Sequence, residues 1–132
     1  MGEKNIKQSI EILENDLSTI RGVSTWAEEC GYENPKNFYR HFIKRYQLPP
    51  KKAHLQIKMK RALHLLKEYP DKKCHFVAIE IGHSGQNSLN AFLNNQIRMS
   101  PRAYRSLNTH TRQQVYEEWK QKVDILKSRA KE

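Results

Sequence analysis

Two clusters of side chains in this chain carry chemistry suited to reading the edges of nucleobases. In "NPKNFYRHFIKRY" (34–46), Lys36 and Arg40 stand four residues apart, with Asn37 and Tyr39 beside them. In "GHSGQNSLNAFLNNQ" (82–96), Gln86, Asn87, Ser88 and Asn90 gather around Ala91. That segment holds no charged residue, although 29% of the chain is Asp, Glu, Lys or Arg. Arg and Lys donate to O6 and N7 of guanine, whereas the amide of Asn or Gln matches the N6/N7 pair of adenine, and a small apolar side chain meets the thymine methyl. The first cluster is therefore expected to act as a charged anchor. The second is expected to read with amides and a close approach at Ala91.

A helix of low charge can lie in a groove when neighbouring groups carry the phosphate contacts. Lys44, Arg45, Lys51, Lys52, Arg102 and Arg105 are the candidates for that task, with Asn94 and Asn95 beside the second cluster. Arg105 has a competing use in internal pairing. Asn34 and Gly85 mark helix starts whose backbone N–H groups favour phosphate. The competing reading treats the amides and the basic run as an ordinary solvated surface.

The charge distribution favours a polyanionic partner. The net charge is +10 and the isoelectric point about 9.7. Residues 34–68 hold ten basic and one acidic side chain, whereas residues 1–33 hold three basic and seven acidic. Nucleic acid and an anionic membrane are the polyanions this suits. Spanning a bilayer takes roughly 18 consecutive apolar residues, and no run here approaches that. The start, "MGEKNIKQSI", lacks a signal-peptide apolar stretch. Cys30 and Cys74 lie in apolar-periodic segments without ligand spacing, which fits reduced, buried thiols in a cytoplasmic protein. No nucleophile–base–orienter set, metal-ligand motif or phosphate-cradling glycine loop is present, so catalysis, a metal and a cofactor are not expected. Trp26 and Tyr104 sit at apolar-periodic positions and are expected in the core rather than as stacking platforms.

The elements that position these clusters form an internal repeat. At an offset of 51, "WAEECGYENPKNFYRHFIKRYQLPP" (26–50) falls on "VAIEIGHSGQNSLNAFLNNQIRMSP" (77–101) without a gap. Ala27 meets Ala78, Gly31 meets Gly82, Phe38 meets Leu89, Phe42 meets Leu93 and Pro50 meets Pro101. Each copy reads as a short helix closed by a glycine, a tight turn, and a second helix with one apolar stripe. That is a helix-turn-helix pattern, whose bland counterpart is an ordinary αα-hairpin. Between the copies, a proline-bracketed helix carries Leu55, Met59, Ala62, Leu63 and Leu66 on one face, with Ile57 and Leu65 at the margins. Some 18 helical residues span roughly 27 Å, near the roughly 34 Å advance of one duplex turn. Ahead of the repeat, residues 6–20 read as one helix with Ile6, Ile10, Leu13 and Leu17 inward and its acids outward. After it, Val115, Trp119, Val123 and Leu126 align on an amphipathic helix. This last helix either covers the domain's own apolar surface, binds a partner or a second copy, or forms a frayed tail.

Over residues 5–107 the arrangement resembles the DNA-binding domain of AraC/XylS-type bacterial transcription regulators. Ala78, Gly82, Leu89, Leu93, Pro101, Tyr104 and Arg105 occupy the family's places in the second copy. Ala27, Gly31, Tyr32, Phe38, Arg40, Phe42 and Pro50 do so in the first, and Ala62, Leu65 and Leu66 match the connector. His83 replaces an aromatic residue, Gln47 and Arg98 replace the glycines that close the reading helices, Ala53 replaces a tyrosine and Ala91 an arginine. The resemblance implies about seven helices and two helix-turn-helix units, each placing one helix in adjacent segments of the major groove. It also implies a monomer on an asymmetric site and contact with RNA polymerase.

The expectation is an all-α chain. A first unit covers residues 1–49, a connector 50–69, a second unit 70–107 and a helical extension 108–132, which could dimerise. The expected function is sequence-specific transcription regulation on double-stranded DNA in the cytoplasm, nucleoid-associated when bound. The alternatives are an architectural, nonspecific DNA binder and a protein-interaction module that has lost DNA binding.

Overall fold

Every hydrogen-bonded element along residues 6–123, the part of the chain described by the computed structural model, is a helix. In chain order these are α1 (Ser9–Asn15), α2 (Val23–Glu29), α3 (Pro35–Tyr46), α4 (Pro50–Glu68), α5 (Cys74–Glu80), α6 (Gln86–Ile97), α7 (Pro101–Ser106) and α8 (Thr109–Val123). The fold is all-α with eight helices among the described residues, one more than the resemblance implies because of α8. Among these residues the chain divides into a first unit ending at Ile57 and a second from Lys58 to Val123. The division falls inside α4 rather than at one end of it.

The repeat seen in the sequence is present in the backbone. Gly31 and Gly82 take φ of 86° and 85°, the left-handed region that only glycine enters without a side-chain clash. Around them the same two bonds close the helices: Tyr32 N–H to the Ala27 carbonyl (3.0 Å) and His83 N–H to the Ala78 carbonyl (2.9 Å). Gly31 N–H to the Glu28 carbonyl and Gly82 N–H to the Ile79 carbonyl complete them. This paired pattern is the Schellman closure, which satisfies carbonyls that a helix end would leave bare. Helices α3 and α6 end alike as well, in Gln47 at φ 57° and Arg98 at φ 62°, their N–H groups donating to the carbonyls of Ile43 and Asn94.

In the first unit α3 buries Phe38, Phe42 and Tyr46. Trp26 on α2 meets Phe38 and Phe42 edge-on at ring separations of 5.2 and 5.1 Å. The indole N–H, which cannot be buried unpaired without cost, donates to the Ser9 carbonyl at 2.8 Å. In the second unit Val77, Ala78 and Ile81 pack with Leu89 and Leu93, all fully buried, and Tyr104 of α7 is 2% exposed. Burial pushes the Tyr104 hydroxyl up to about 12, with Arg112 opposing and Tyr116 adding to the rise. Burial, aided by the Glu29 carboxylate, raises the Cys30 thiol to about 11. Cys30 is buried, as expected, but Cys74 is only half-buried.

Two expectations about the helices are corrected, and one of the alternatives for the last helix is selected. The first helix does not run over residues 6–20: α1 is seven residues long and stops at Asn15. The poor helix formers Asn15 and Asp16 end it, and a turn from Asp16 to Ile20 follows. Leu13, Leu17 and Ile20 still point inward, so the apolar spacing runs across the break without registering it. The connector α4 does not carry a single apolar stripe. Ile57 and Leu65, expected at the margins, are each buried to 8% exposure, while Leu55 of the expected face is half-buried. Ala53, His54 and Gln56 are buried too. Because α4 supplies residues to both units, no one stripe serves it. His54 donates from Nε2 to the Ile20 carbonyl at 2.9 Å, holding the turn after α1. The C-terminal helix α8 covers the second unit's own surface: Trp119 is 3% exposed and donates from Nε1 to Gln96 Oε1 at 3.1 Å. The side chain of Val123, and Leu126, lie outside the described residues.

Left-handed backbone at a residue with a β-carbon costs on the order of 1–2 kcal/mol. Q47G and R98G are each expected to raise the unfolding free energy by about 1 kcal/mol, less what glycine adds to the unfolded chain's entropy. Urea denaturation of the single variants and of the pair, whose effects should add, checks this.

Candidate nucleic-acid interface

Helix α3 begins at a defined cap. Asn34 sits in extended backbone, its Oδ1 accepts the Lys36 N–H at 2.9 Å, and Pro35 fills the first helical position. The Asn37 and Phe38 N–H groups reach the Asn34 carbonyl. The start of α3 is therefore already satisfied by its own cap, which removes the free amides expected there for a phosphate. With Phe38, Phe42 and Tyr46 inward, the opposite face presents Lys36, Tyr39 and Arg40, all exposed, with Tyr39 at 46%. Asn37 is half-buried, and its Oδ1 accepts from Arg40 Nη2 one turn away. That bond aligns the guanidinium along the helix and leaves the rest of its five-donor fork for another acceptor. Together with Val23, these side chains border a shallow hollow. Lys44 and Arg45 are exposed in the last turn of α3, Arg45 lying 5.8 Å from the Tyr46 ring centre. Lys51 and Lys52 are exposed in the first turn of α4.

Helix α6 begins differently. Its cap position is Gly85, in extended backbone and without a side-chain cap bond. With Leu89 and Leu93 inward, Gln86, Asn87, Ala91, Asn94 and Asn95 are exposed, whereas Ser88 and Asn90 are half-buried. The amides divide in use. Asn94 Nδ2 turns back to the Asn90 carbonyl at 3.0 Å, and Gln96 is held by Trp119. The Ser88 hydroxyl pairs with His83 Nδ1, which turns it inward and away from the exposed row. Gln86, Asn87 and Ala91 remain as an outward row, and Asn90 borders it.

The residues around His83 form a group that the sequence reading passed over. Lys58 Nζ stands 3.3 Å from His83 Nε2 and 5.0 Å from the centre of the Phe92 ring, itself 5.0 Å from the imidazole. A charged Lys58 can donate to Nε2, while Nδ1 pairs with the Ser88 hydroxyl on the other side of the ring. Burial lowers the Lys58 ammonium from its ordinary value. The offset of 51 could have found this pair. In the first unit it maps to Tyr32 and His41, whose rings are 5.4 Å apart and whose Oη and Nδ1 are 2.8 Å apart. The histidine has changed partners across the two copies while the contact is kept.

Of the expected phosphate contacts on α7, Arg102 is exposed. Arg105 is not available in the same way. Its Nε and Nη2 donate to the carbonyls of Leu66 and Tyr69 at 3.3 and 3.2 Å, and Nη1 lies 4.0 Å from Cys74 Sγ. It closes the end of α4, which explains its fixed position next to the buried Tyr104. No described helix is long and apolar enough to cross a membrane. Compared with known proteins, the chain matches no family model and no curated sequence.

The two caps yield a matched pair of stability changes. N34A removes the α3 cap and is expected to cost about 1 kcal/mol. G85N places the same cap at the start of α6, where an added β-carbon meets nothing within 4 Å, and is expected to add a few tenths of a kcal/mol. Thermal and urea unfolding of the two variants should give opposite signs.

Proposed function

We propose that the chain is a sequence-specific binder of double-stranded DNA that regulates transcription, reading adjacent segments of the major groove with α3 and α6. The observation that carries this reading is the doubled unit. In both copies the same glycine closure leads into a twelve-residue helix with a buried apolar stripe and a polar outward row. The α3 row, Lys36, Tyr39 and Arg40, suits guanine and the backbone. The α6 row, Gln86, Asn87 and Ala91 with Asn90 at its border, suits adenine and thymine. The ten basic side chains of residues 34–68 supply the sequence-independent attraction. RNA polymerase as a partner, a monomeric state and a nucleoid-associated cytoplasmic location belong to the same proposal, and rest on the resemblance alone.

Selection of duplexes from a random pool at about 0.15–0.2 M salt, where purely electrostatic binding has weakened steeply, tests it. The expected product is an asymmetric motif with two informative halves, one of them rich in A·T. Arg40→Ala should cost about 1–3 kcal/mol of binding and relax preference at one position of the motif. K51Q and K52Q should weaken all sequences alike and lower the salt slope by about one each. Arg105→Gln should lower the melting temperature and leave the motif unchanged. Binding that persists only at low salt, with no motif enriched, would replace sequence reading by architectural binding.

A further inference from the structure

Outside the groove-facing rows, the second unit contains a cavity of about 270 Å³ bordered by α4, α7 and α8. We propose that it is a binding site for a small organic dianion of the phosphomonoester type, carrying a compact apolar body. Lys60, His64 and Lys67 follow each other at spacings of four and three along α4, which puts them on one helix face. Arg112 and Tyr116, four apart on α8, border the same space, as does Tyr104 of α7. Three permanently charged side chains, Lys60, Lys67 and Arg112, border it, and none of the described residues that line it is acidic.

Lys67 has a carboxylate nearby, Glu68 at 4.0 Å, but both side chains are about half exposed. Such an exposed pair offsets little of the positive field. Arg112 spends Nη1 on the Arg105 carbonyl at 3.3 Å. That bond fixes the guanidinium in place, as a bidentate anion contact requires. Leu63 and the ring of Tyr104, 1% and 2% exposed, supply apolar surface to the cavity wall. The Tyr104 hydroxyl stays protonated at neutral pH and can donate. A set of donors beside apolar surface is how small-molecule sites are built. The volume lies just under the roughly 300–1,000 Å³ of sites for drug-sized ligands, which restricts the body to one small ring or chain. No residue of α6 borders the space, so the site is separate from the α6 reading row and does not depend on the DNA-binding proposal.

Phenyl phosphate is the probe, titrated by calorimetry and by two-dimensional amide NMR at a constant ionic strength of about 0.15 M. The expected result is one saturable site, with shifts confined to residues of α4, α7 and α8. Lys60→Gln and Lys67→Gln should each weaken binding at least tenfold, and Lys7→Gln, on an exposed part of the first unit, should leave it unchanged. Arg112→Gln should abolish binding, and its unfolding curve shows whether the variant still folds. The lysine variants keep the test valid if it does not. Binding that is unsaturable, or equally weakened by Lys7→Gln, overturns the proposal. So does displacement of the probe by duplex DNA together with a parallel loss of DNA affinity in Lys67→Gln, which would assign the cations to backbone phosphates.

Discussion

The left-handed glycine after each supporting helix is the constraint on which the remainder of each unit depends. At Gly31 and Gly82 the chain must reverse in a few residues while satisfying the last carbonyls of a seven-residue helix. A helix that short is marginal by itself. What stabilises α2 and α5 is the apolar surface they share with the following helix, and that surface forms only if the turn brings the two together at one angle. In the first unit this sets Trp26 against Phe38 and Phe42. In the second it sets Val77, Ala78 and Ile81 among Leu89 and Leu93. The outward rows of α3 and α6 follow as the geometric complement of those buried stripes.

One backbone plan thus carries two different chemistries. The first copy fills its core with rings and faces solvent with cations. The second fills its core with aliphatic side chains and faces solvent with amides. The exchange of Tyr32–His41 for His83–Phe92 shows how the copies diverged in their side chains while retaining a contact at the turn. It also accounts for Ser88: once histidine occupies the place after the glycine, its Nδ1 needs a hydrogen-bond partner, and the hydroxyl five residues on supplies it. Of the uncharged stretch that stands out in the sequence, Ser88, Asn94 and Gln96 work within the fold, while Gln86, Asn87 and Ala91 form the outward row.

The helices, their order and the inward stripes of α3 and α6 were legible because 3.6-residue periodicity, the two glycines and the prolines at 35, 50 and 101 agree with one another. The end of α1 was not, because Leu17 and Ile20 continue the helical spacing after the helix has stopped. The burial around α4 was not, because a helix that feeds two units has no single polar face to betray its orientation. Arg105 reads as one more cation until its distances to the Leu66 and Tyr69 carbonyls are known. Trp119 could be placed on an apolar stripe, but sequence alone does not say whether that stripe meets its own chain or another. Side-chain pairing over 23 to 39 residues, as in Trp119–Gln96 and Arg105–Leu66, leaves no periodic trace.

The placement of charge adds a physical argument for an anionic partner at the first unit. The start of a helix carries a partial positive charge and favours acidic residues, each worth typically 0.3–1 kcal/mol. None of α3, α4 and α6 has an acid in its first turn, and α4 opens with Lys51 and Lys52, both exposed. These lysines stand where they cost the isolated fold a little. Among the described residues they pair with no buried group that would explain the position, whereas Arg105 of α7 donates to the Leu66 and Tyr69 carbonyls at the C-terminal end of α4, where a cation is favoured. Exposed cations at a helix start meet the positive end of its dipole, and an external anion there would be attracted by both. A phosphate backbone running past the first turn of α4 would turn that local cost into binding energy and, being screened by salt, into salt dependence.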